Sequence, residues 1–430
     1  MSLPKQCLYT NKINSSYARN FQSAIAPQNG TEYNFGETII LNIPTGANLV
    51  ASGQDSILKF NFNFRNGGGA ATTYRLNRSG AYSIIQRMRI FLGSTLLSDI
   101  DSYGNLMDLL MTTQQSTDSI TGKYGIMAGT TYDPENATIA ITTDATIAFA
   151  IPLVSILSWS QNYVPLFAMS GPLRIELQLV SNIRQFLHSA AALTTHSTLK
   201  AIDNVELVVN MMEISDSGMN IIKSAIGNSP VQWVVQDYRN FQYVNTLRTT
   251  VTQLSVPIPA KYNSLNSLLW TFRSSANVAG VATLPSNESL NFDLKEFYVR
   301  LGARTVPTKP PNSLPEFCCE LLRALGSPSD VNHECNIKPV SFFKKTADAA
   351  TTCGAFYLGL DLESYSNTDM TSVYSGYNSS TEDIFFTPTF NAQPANNAVD
   401  VRIDTYALFD CLISLENGVA TAFYEFNQII

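Results

Sequence analysis

An internal repeat constrains the fold of this 430-residue chain more than any other feature of its sequence. The segment MRIFLGST at 88–95 matches FYVRLGAR at 297–304, an offset of 209 residues that aligns Gly93 with Gly302. Three further pairs match in the same order at offsets of 212, 210 and 200 residues: 108–110 with 320–322, 170–180 with 380–390, and 211–218 with 411–418. Four ordered matches at a nearly constant offset indicate that one fold occurs twice in the chain.

Each half is predicted to be a β-sandwich. Short alternating or continuous apolar segments, of which 57–64 and 173–180 are the clearest, are separated by clusters of Gly, Asn, Ser and Pro. This pattern is typical of a sandwich or barrel and not of alternating strands and helices. Helical spacing of apolar residues is clear only in 102–113 and in 314–325, and a Ser-x-x-Glu capping box, Ser313 to Glu316, begins the second of these.

We therefore predict an all-β fold of two consecutive eight-stranded jelly rolls, packed side by side, each with one short helix inserted after its fourth strand. The expected boundaries are an N-terminal arm at 1–36, a first jelly roll at 37–215, a linker at 216–230 and a second jelly roll at 231–430. The linker is too short to serve as a flexible tether between independent domains, so we expect the two sandwiches to contact each other.

Composition narrows the class of protein. Charged residues make up 14% of the chain, against roughly 25% in an average soluble domain, while 45% of residues are hydrophobic. These values argue against a disordered chain and against a coiled coil. The net charge of −7 provides no global field that would attract DNA or an anionic membrane.

Secretion and disulfide formation are not expected. Residues 1–20 contain no apolar stretch of the kind that a signal peptide needs. The sequence also contains no continuous stretch of about 18 uncharged apolar residues, which a membrane-spanning helix needs. The six cysteines show no C-x-x-C spacing, so we expect free thiols. The neighbouring Cys318 and Cys319 are expected to face the core from their helix.

Catalytic and metal-binding patterns are weak, and we predict no catalytic residue, cofactor or metal. The three histidines form no metal-binding motif; they are His188, His196 and His333. Two close carboxylate pairs, Asp99 with Asp101 and Asp361 with Glu363, could serve glycoside hydrolysis. Such pairs at strand ends are more often a solvated edge or a helix cap, which is the interpretation we favour.

The first 36 residues differ from the rest because they are locally basic and rich in aromatic residues, with Glu32 as the single acid. A terminus of this kind can contact a neighbouring subunit, lipid head groups or packaged nucleic acid, although an unstructured terminus is an equally good interpretation. If the arm binds, we expect the contacts to come from Lys5, Lys12, Arg19, Tyr9 and Tyr17.

The repeated strand, turn and helix also carry a resemblance to a known family. FLGSTLLSDIDSYGNLMDLL at 91–110 and GLDLESYSNTDMTSVYSGYNSSTEDIFF at 359–386 resemble the double jelly-roll major capsid proteins of tailless icosahedral DNA viruses. This group includes membrane-containing phages, adenovirus hexons, virophages and large algal viruses. The resemblance covers about 37–426, and the chain lacks the large insertions of the hexon type.

The resemblance implies a structural protein of the virion, not an enzyme. It implies a homotrimer with a pseudo-hexagonal outline that tiles an icosahedral shell beside penton and minor capsid proteins. The arm would lie on the inner face, near an internal membrane or packaged DNA.

Two alternatives stay open. One is a carbohydrate-binding or glycoside-cleaving β-sandwich, which an export signal, aromatic platforms and paired carboxylates in a cleft would favour. The other is a single jelly-roll capsid protein with a projecting β-domain, which has no reason to repeat the inserted helix.

Overall fold

The computed structural model describes most of the chain, in the ranges 18–64, 74–131, 140–141, 144–158, 163–188, 201–227, 229–247, 252–278, 285–326, 328–329, 334–345, 353–364, 375–392, 399–416 and 418–423. Within these ranges the protein is mainly β-strand and forms two jelly rolls, as predicted. Each roll contains eight strands in two opposing four-stranded sheets, with a few short strands added to them.

The first jelly roll is built from two antiparallel sheets. From edge to edge, one sheet contains β1 (Ala18–Ile25), β12 (Ile202–Ile214), β4 (Leu49–Phe64) and β9 (Ala145–Pro152). The opposing sheet contains β3 (Thr38–Ile43), β10 (Leu173–Leu179), β6 (Ile85–Leu92) and β7 (Thr95–Asp101).

The second jelly roll repeats this order strand for strand. Its first sheet contains β13 (Val231–Leu247), β20 (Val399–Glu416), β15 (Leu265–Ser274) and β18 (Tyr357–Asp361). Its second sheet contains β14 (Val256–Ile258), β19 (Ile384–Phe390), β16 (Leu294–Leu301) and β17 (Arg304–Val306). The same spatial order in both halves confirms that one fold occurs twice.

Short additional strands complete the sheets. A small sheet of β11 (Leu187–His188), β5 (Tyr74–Leu76) and β8 (Ala140–Ile141) belongs to the first roll. The others pair with the long strands: β2 (Glu32–Tyr33) with β12, and β21 (Val419–Phe423) with β20.

The two predicted helices are confirmed as α1 (Tyr103–Gln114) and α6 (Leu314–Ala324). Shorter helical segments accompany them: α2 (Thr117–Thr121), α3 (Lys123–Ala128), α5 (Ser275–Val278), α7 (Pro339–Phe342) and 3-10 turns at Gly80–Ile84, Leu166–Ala168 and Ile183–Gln185. Helix α4 (Asp216–Ile226) occupies most of the expected linker. Across the described ranges, no helix is both long and apolar enough to cross a membrane.

The core lies between the opposing sheets of each roll. Strand β10 alternates buried and half-buried residues along its whole length, as a strand with one face in a sandwich core should. In the second roll the core is aromatic: Trp270 stacks on Phe386 with ring centroids 4.4 Å apart, and Phe317 of α6 packs against Phe297. Nearly all of the buried apolar residues that the structure describes, from both rolls, form one continuous cluster, so the rolls share a core where they meet; Val50, Ile214 and Met219 form a separate small cluster.

The structure corrects the predicted boundary of the arm. Residues 18–25, assigned to the arm at 1–36, form β1 and pair with β12 in the first sheet. The sequence concealed this strand because only Phe21 and Ile25 provide large apolar side chains, and both are only half-buried at the edge of the sheet. The strand belongs to the first jelly roll.

Three smaller expectations also need correction. The inserted helix follows the fifth of the eight main strands of each roll and not the fourth, because the return strands β7 and β17 lie between the repeated turn and the helix. The capping box is half-formed: Glu316 accepts from the N–H of Asn312, while the Ser313 side chain does not cap α6. Cys318 packs against the core, but Cys319 is exposed.

The repeated glycine is explained by the turn that it occupies. Gly93 connects β6 to β7 with φ of +60°, and Gly302 connects β16 to β17 with φ of +54°. In both hairpins the loop has two residues, because Leu92 pairs with Thr95 and Leu301 with Arg304. A positive φ at the first loop residue is what a type II′ turn requires, and glycine adopts it without steric cost.

Replacing Gly93 with alanine should therefore destabilise the first roll through the backbone alone. A Cβ atom at this position would meet nothing within 4 Å, so the expected loss of about 1–2 kcal/mol comes from the left-handed backbone. Gly302→Ala should cost a similar amount, since its Cβ would meet only the flexible side chain of Glu382. Denaturant unfolding measures both. Ser94→Ala, an exposed change in the same turn, is the control, and equal stability of Gly93→Ala and Ser94→Ala would contradict the turn assignment.

Candidate functional site

The region where the two jelly rolls meet, which we call the seam, contains many polar side-chain contacts between them. It begins where β7, an edge strand of the first roll, packs against β13, an edge strand of the second. Ser98 Oγ donates to Asp237 Oδ1 at 2.9 Å, and Gln242 Nε2 donates to Asp101 Oδ2 at 2.6 Å. Because each edge strand covers the other, neither offers its free edge to solvent at the seam.

A buried ion pair holds the centre of the seam. The guanidinium of Arg78 makes two hydrogen bonds to the Asp108 carboxylate, Nε to Oδ1 at 2.8 Å and Nη2 to Oδ2 at 2.5 Å. Both side chains come from the first roll and are almost fully buried, with 3% and 1% exposed. The bidentate geometry is the one in which an arginine and a carboxylate pair most strongly.

The second roll closes this ion pair. Tyr357 of β18 donates its hydroxyl to Asp108 Oδ2 at 2.7 Å, and Arg78 Nη1 donates to the carbonyl of Gly354 at 3.1 Å. Burial opposes the charge of Arg78, but Asp108 and Tyr357 outweigh it, so the pKa of Arg78 is raised well above its usual value. Arg78 therefore stays charged, and its pair with Asp108 is fully bonded only when both rolls are in place.

Amides and hydroxyls continue the seam on both sides of the ion pair. Asn105 Nδ2, in the first turn of α1, donates to Thr271 Oγ1 at 2.9 Å and to the Tyr406 hydroxyl at 2.8 Å. Tyr406 in turn donates to the carbonyl of Ser102 at 3.0 Å. Elsewhere Asn287 Nδ2 donates to Ser79 Oγ at 3.0 Å. These bonds fix the helix insert of the first roll against strands of the second.

The carboxylate of Asp237 is buried in this seam, and no described residue forms a salt bridge with it. It accepts from Ser98 Oγ and from the N–H of Tyr238, both at 2.9 Å. Burial, more than any neighbour, raises the pKa of Asp237 to about 7, and the nearby Asp99 carboxylate adds to the shift while Arg239 opposes it. Asp237 is thus the group at the seam whose charge changes near neutral pH.

The structure places one of the five predicted binding residues. Arg19 lies on β1, exposed, directly opposite Glu213 of β12. The other four lie outside the described residues; they are Lys5, Lys12, Tyr9 and Tyr17. The suggested basic binding cluster therefore stays a prediction.

Both carboxylate pairs have structural partners. Asp99 accepts two bonds of 2.7 Å from Arg87, and Asp101 accepts from Gln86 and from the N–H of Ser102 just before α1. The structure corrects the favoured interpretation: Asp99 is only 7% exposed and pairs with Arg87, so it does not lie on a solvated edge, and no side chain caps α1 at its N-cap Ser102. Both carboxylates have structural partners.

In the second pair, Asp361 accepts from the N–H of Glu363, which itself accepts from Ser375. Burial raises the pKa of both carboxyls. In the described part of the chain no group of three or more His, Cys, Asp or Glu side chains could hold a metal, and two of the histidines, His196 and His333, lie outside it.

No sequence motif marks the residues that build the seam, namely Arg78, Asp108, Tyr357 and Asp237. One signal was available: Asp108 is a lone acid in the apolar helix LMDLLM, where a carboxylate needs a buried partner. Its partner Arg78 stands in a polar segment, and nothing in the sequence connects the two.

Removing the buried cation should destabilise the protein far more than removing an exposed one. Arg78→Met leaves the Asp108 charge buried beside Tyr357 alone, so we expect a loss of about 3–5 kcal/mol in denaturant unfolding. Arg323→Met, which breaks an i,i+3 pair with Glu320 whose arginine is 52% exposed, should change stability by less than about 0.5 kcal/mol. The double variant Arg78→Met/Asp108→Leu should recover part of the loss. Equal stability of the two single variants would refute the role of the buried pair.

The protonation of Asp237 should make stability fall with rising pH. Its pKa of about 7 in the folded protein lies above the ~3.9 of an exposed aspartate, so the folded form keeps a proton that the unfolded form has lost. The stability from this proton is fully present below about pH 4 and lost as the pH rises to about 7. Asp237→Asn should flatten the dependence of the melting temperature on pH in this window. Asp383→Asn, at an exposed carboxylate, should keep the wild-type slope. An unchanged slope in Asp237→Asn would show that another group dominates.

Comparison with known proteins identifies the fold. No protein-family model matches the chain, and no curated relative matches it. Solved structures match it along nearly its whole length. VP54 of PBCV-1, a crystal structure fitted into a cryo-EM reconstruction of the virophage Sputnik, gives a TM-score of 0.66 at 12% identity, covering 97% of this chain and 100% of VP54.

Two major capsid proteins give similar results. That of Faustovirus has a TM-score of 0.62 at 10% identity, covering 96% of this chain and 94% of its own. That of mavirus has a TM-score of 0.54 at 11% identity, covering 99% of this chain and 95% of its own. The chain thus has the double jelly-roll fold of viral major capsid proteins, as the sequence resemblance implied.

Proposed function

We propose that this chain is a viral major capsid protein that assembles, as a pseudo-hexagonal homotrimer, into the icosahedral shell of a virion. The observation that carries the proposal is the match in fold over 96% or more of the chain, through both jelly rolls, to the major capsid proteins of Faustovirus and mavirus. Its function is mechanical, and we propose no catalytic step, cofactor or metal.

The trimer is supported by an asymmetry in the chain. The seam joins β7 of the first roll to β13 of the second. By the repeat, the equivalents of these strands are β17 in the second roll and β1 in the first. Within the described residues β17 pairs only with β16, and β1 pairs only with β12. One chain therefore contains one complete contact between such edges, β7 with β13. It also contains the two edges that a second contact would need, β17 and β1, and these do not meet within the chain.

Burial differs between the equivalent strands as this idea requires. Positions 97–99 on β7 are buried, whereas the equivalent positions 306–308, taken at the offset of 209, are half-buried or exposed. Ser23 and Asp237 are equivalent because their partners, Val209 and Phe409, stand 200 residues apart; Asp237 is buried and Ser23 only half-buried. The second pair of edges is uncovered where the first is covered.

A head-to-tail contact follows from this asymmetry. If β17 of one chain covers β1 of the next, every contact repeats the seam, and a heterologous contact of this kind forms a closed ring when its rotation allows. Three chains would then supply six similar sandwiches, which tile a shell with few distinct contacts.

We also propose further partners for the assembled protein. They are penton and minor capsid proteins at other edges, and an internal membrane or packaged DNA contacted through the arm that contains Lys5, Lys12, Arg19, Tyr9 and Tyr17.

The carbohydrate-cleaving alternative gains no support from the acid pairs, whose carboxylates are bonded to structural partners. The hypothesis of a single jelly roll with a projecting domain fails because both halves have the same strand order.

The trimer is tested by damaging one edge at a time. Wild-type protein should have a mass of about 140 kDa, three times the chain mass of 47.2 kDa, in mass photometry. Ser23→Lys on β1 and Thr305→Lys on β17 should each release monomers, because each places a charge in the proposed contact. Ser224→Lys, on the exposed face of α4, should leave the trimer intact.

A mixture of the two edge variants distinguishes a head-to-tail contact from other modes. Ser23→Lys chains keep an intact β17 and Thr305→Lys chains an intact β1, so the mixture should form pairs of about 94 kDa that cannot extend. Trimers in either variant alone, or a mixture that stays monomeric while circular dichroism shows folded chains, would contradict the proposal.

A further inference from the structure

A cavity of about 280 Å³ lies in the seam, between β7 of the first roll and residues of the second roll. The residues that line it include Leu96, Leu97, Phe241, Phe409, Arg239 and Lys261. Leu97 and Phe409 are buried. The side chains of Arg239 and Lys261, in contrast, are 40% and 35% exposed, and Lys261 is paired with Asp383 at 2.9 Å. The cavity is therefore apolar inside and cationic at its rim.

The volume of this cavity suits one large apolar side chain. It equals the volume of about nine water molecules at ~30 Å³ each. Apolar surface that faces water is costly, so an apolar group that filled the cavity would stabilise the folded protein.

The chain leaves the second roll beside this cavity. Strand β21 ends at Phe423, opposite Leu412 of β20. It cannot extend along β20 past Cys411, because the N–H of Asp410 donates to the carbonyl of Ser264 at 3.0 Å on the same edge. The other edge of β20 is paired with β13. The segment after Phe423 must therefore turn away from the sheet near Ser264.

Two contacts place this exit at the wall of the cavity. Tyr262, two residues before Ser264, stacks on Phe409 with ring centroids 4.0 Å apart, and both residues line the cavity. Strand β21 also contacts β7, the strand that contains Leu96 and Leu97. The exit of the chain and the cavity thus share the same neighbours.

The sequence that follows Phe423 matches the cavity in chemistry and in reach. Residues 424–430, which lie outside the described residues, read YEFNQII and contain the apolar Phe426, Ile429 and Ile430. Phe426 is three residues past Phe423, and Phe409 is three residues from Leu412 along β20. At the rise of a strand both separations are about 10 Å, so Phe426 can reach the level of Phe409.

The one acid of this segment, Glu425, fits the rim. The salt bridge from Arg239 to Asp99 is long, at 3.7 Å, and Asp99 already accepts two bonds of 2.7 Å from Arg87. A further carboxylate beside Arg239 is therefore favourable. Asp237, which also lines the cavity, opposes a second acid only in part near neutral pH, because burial raises its pKa to about 7.

We propose that the segment 424–430 of the same chain docks in this cavity, with Phe426 packed against Leu96, Leu97 and Phe409. Because the two leucines belong to the first roll and the segment continues the second, this contact would tie the rolls together. The covalent connection makes docking intramolecular, so a modest number of contacts suffices. The contact forms within one chain and does not depend on the proposed trimer.

Photo-cross-linking of the full chain tests the occupant directly. With benzoylphenylalanine in place of Phe426, we expect irradiation to join position 426 to the tryptic peptide that contains Leu96 and Leu97. The same amino acid in place of Ile221, which is 62% exposed on α4, is the control and should not label that peptide.

A mixture of isotope-labelled and unlabelled chains shows which chain supplies the segment. We expect each cross-link to join peptides of one label. Cross-links between differently labelled chains would place the segment in the cavity of a neighbouring copy and would overturn the proposal. Cross-links only to other surfaces, or none, would overturn it as well.

Tail variants measure what docking contributes to stability, and they leave the described fold untouched. Phe426→Ser should lower the thermal unfolding midpoint by roughly 2–4 °C, nearly as much as deletion of 424–430. Asn427→Ser, the adjacent polar position, should not change it. Equal midpoints for Phe426→Ser and Asn427→Ser would contradict docking through Phe426.

A second variant ties the effect to the cavity wall. Leu96 is half-buried, so Leu96→Ala removes a wall contact without emptying the core. In the Leu96→Ala background, Phe426→Ser should lower the midpoint by less than it does in the wild type, since the two residues would be in contact. Fully additive effects would show that Phe426 acts elsewhere and would overturn the proposal.

Discussion

The closure of the buried Arg78–Asp108 pair by the second jelly roll is the interaction on which the arrangement of the two rolls depends. Without the second roll, polar groups of the first would lose partners: the Asp108 carboxylate would lose Tyr357, and Arg78 would lose the Gly354 carbonyl. A buried charge that loses partners costs several kcal/mol, which is more than a typical surface contact returns. The two sandwiches are therefore one cooperative body, which agrees with the single apolar cluster that runs through both.

The joining of the two rolls at the seam explains what duplication of the sandwich provides. A chain with two copies of one sandwich, joined through unlike edges, necessarily ends with one uncovered edge of each kind. The low charge content of the chain, 14%, would suit the proposed trimer, in which other copies cover part of its surface. Polar pairs with buried donors and acceptors, such as Ser98 with Asp237, then fix the register of the contact, while the apolar residues around them supply most of the free energy.

The repeat is visible in the sequence, and most of the fold could be predicted from it. Gly93 and Gly302 were visible because a type II′ turn tolerates little else at that position, and α1 and α6 because their apolar residues follow the helical period. Strand β1 was not visible, because its half-buried face carries only two large apolar side chains, Phe21 and Ile25, while its other face is exposed along most of its length. Asp108 hinted at a buried partner, but the partners across the seam could not be predicted: Arg78 and Tyr357 are 279 residues apart, and only the packed fold brings them together.

A cryo-EM reconstruction of the purified assembly, at a resolution that separates β-strands, tests the proposed trimer most directly. We expect a ring of three chains in which β17 of each chain lies against β1 of the next, with the same relative placement as β7 and β13 within the chain. A reconstruction in which β1 contacts the same strand of a two-fold mate, or in which β1 and β17 both face solvent, would contradict it.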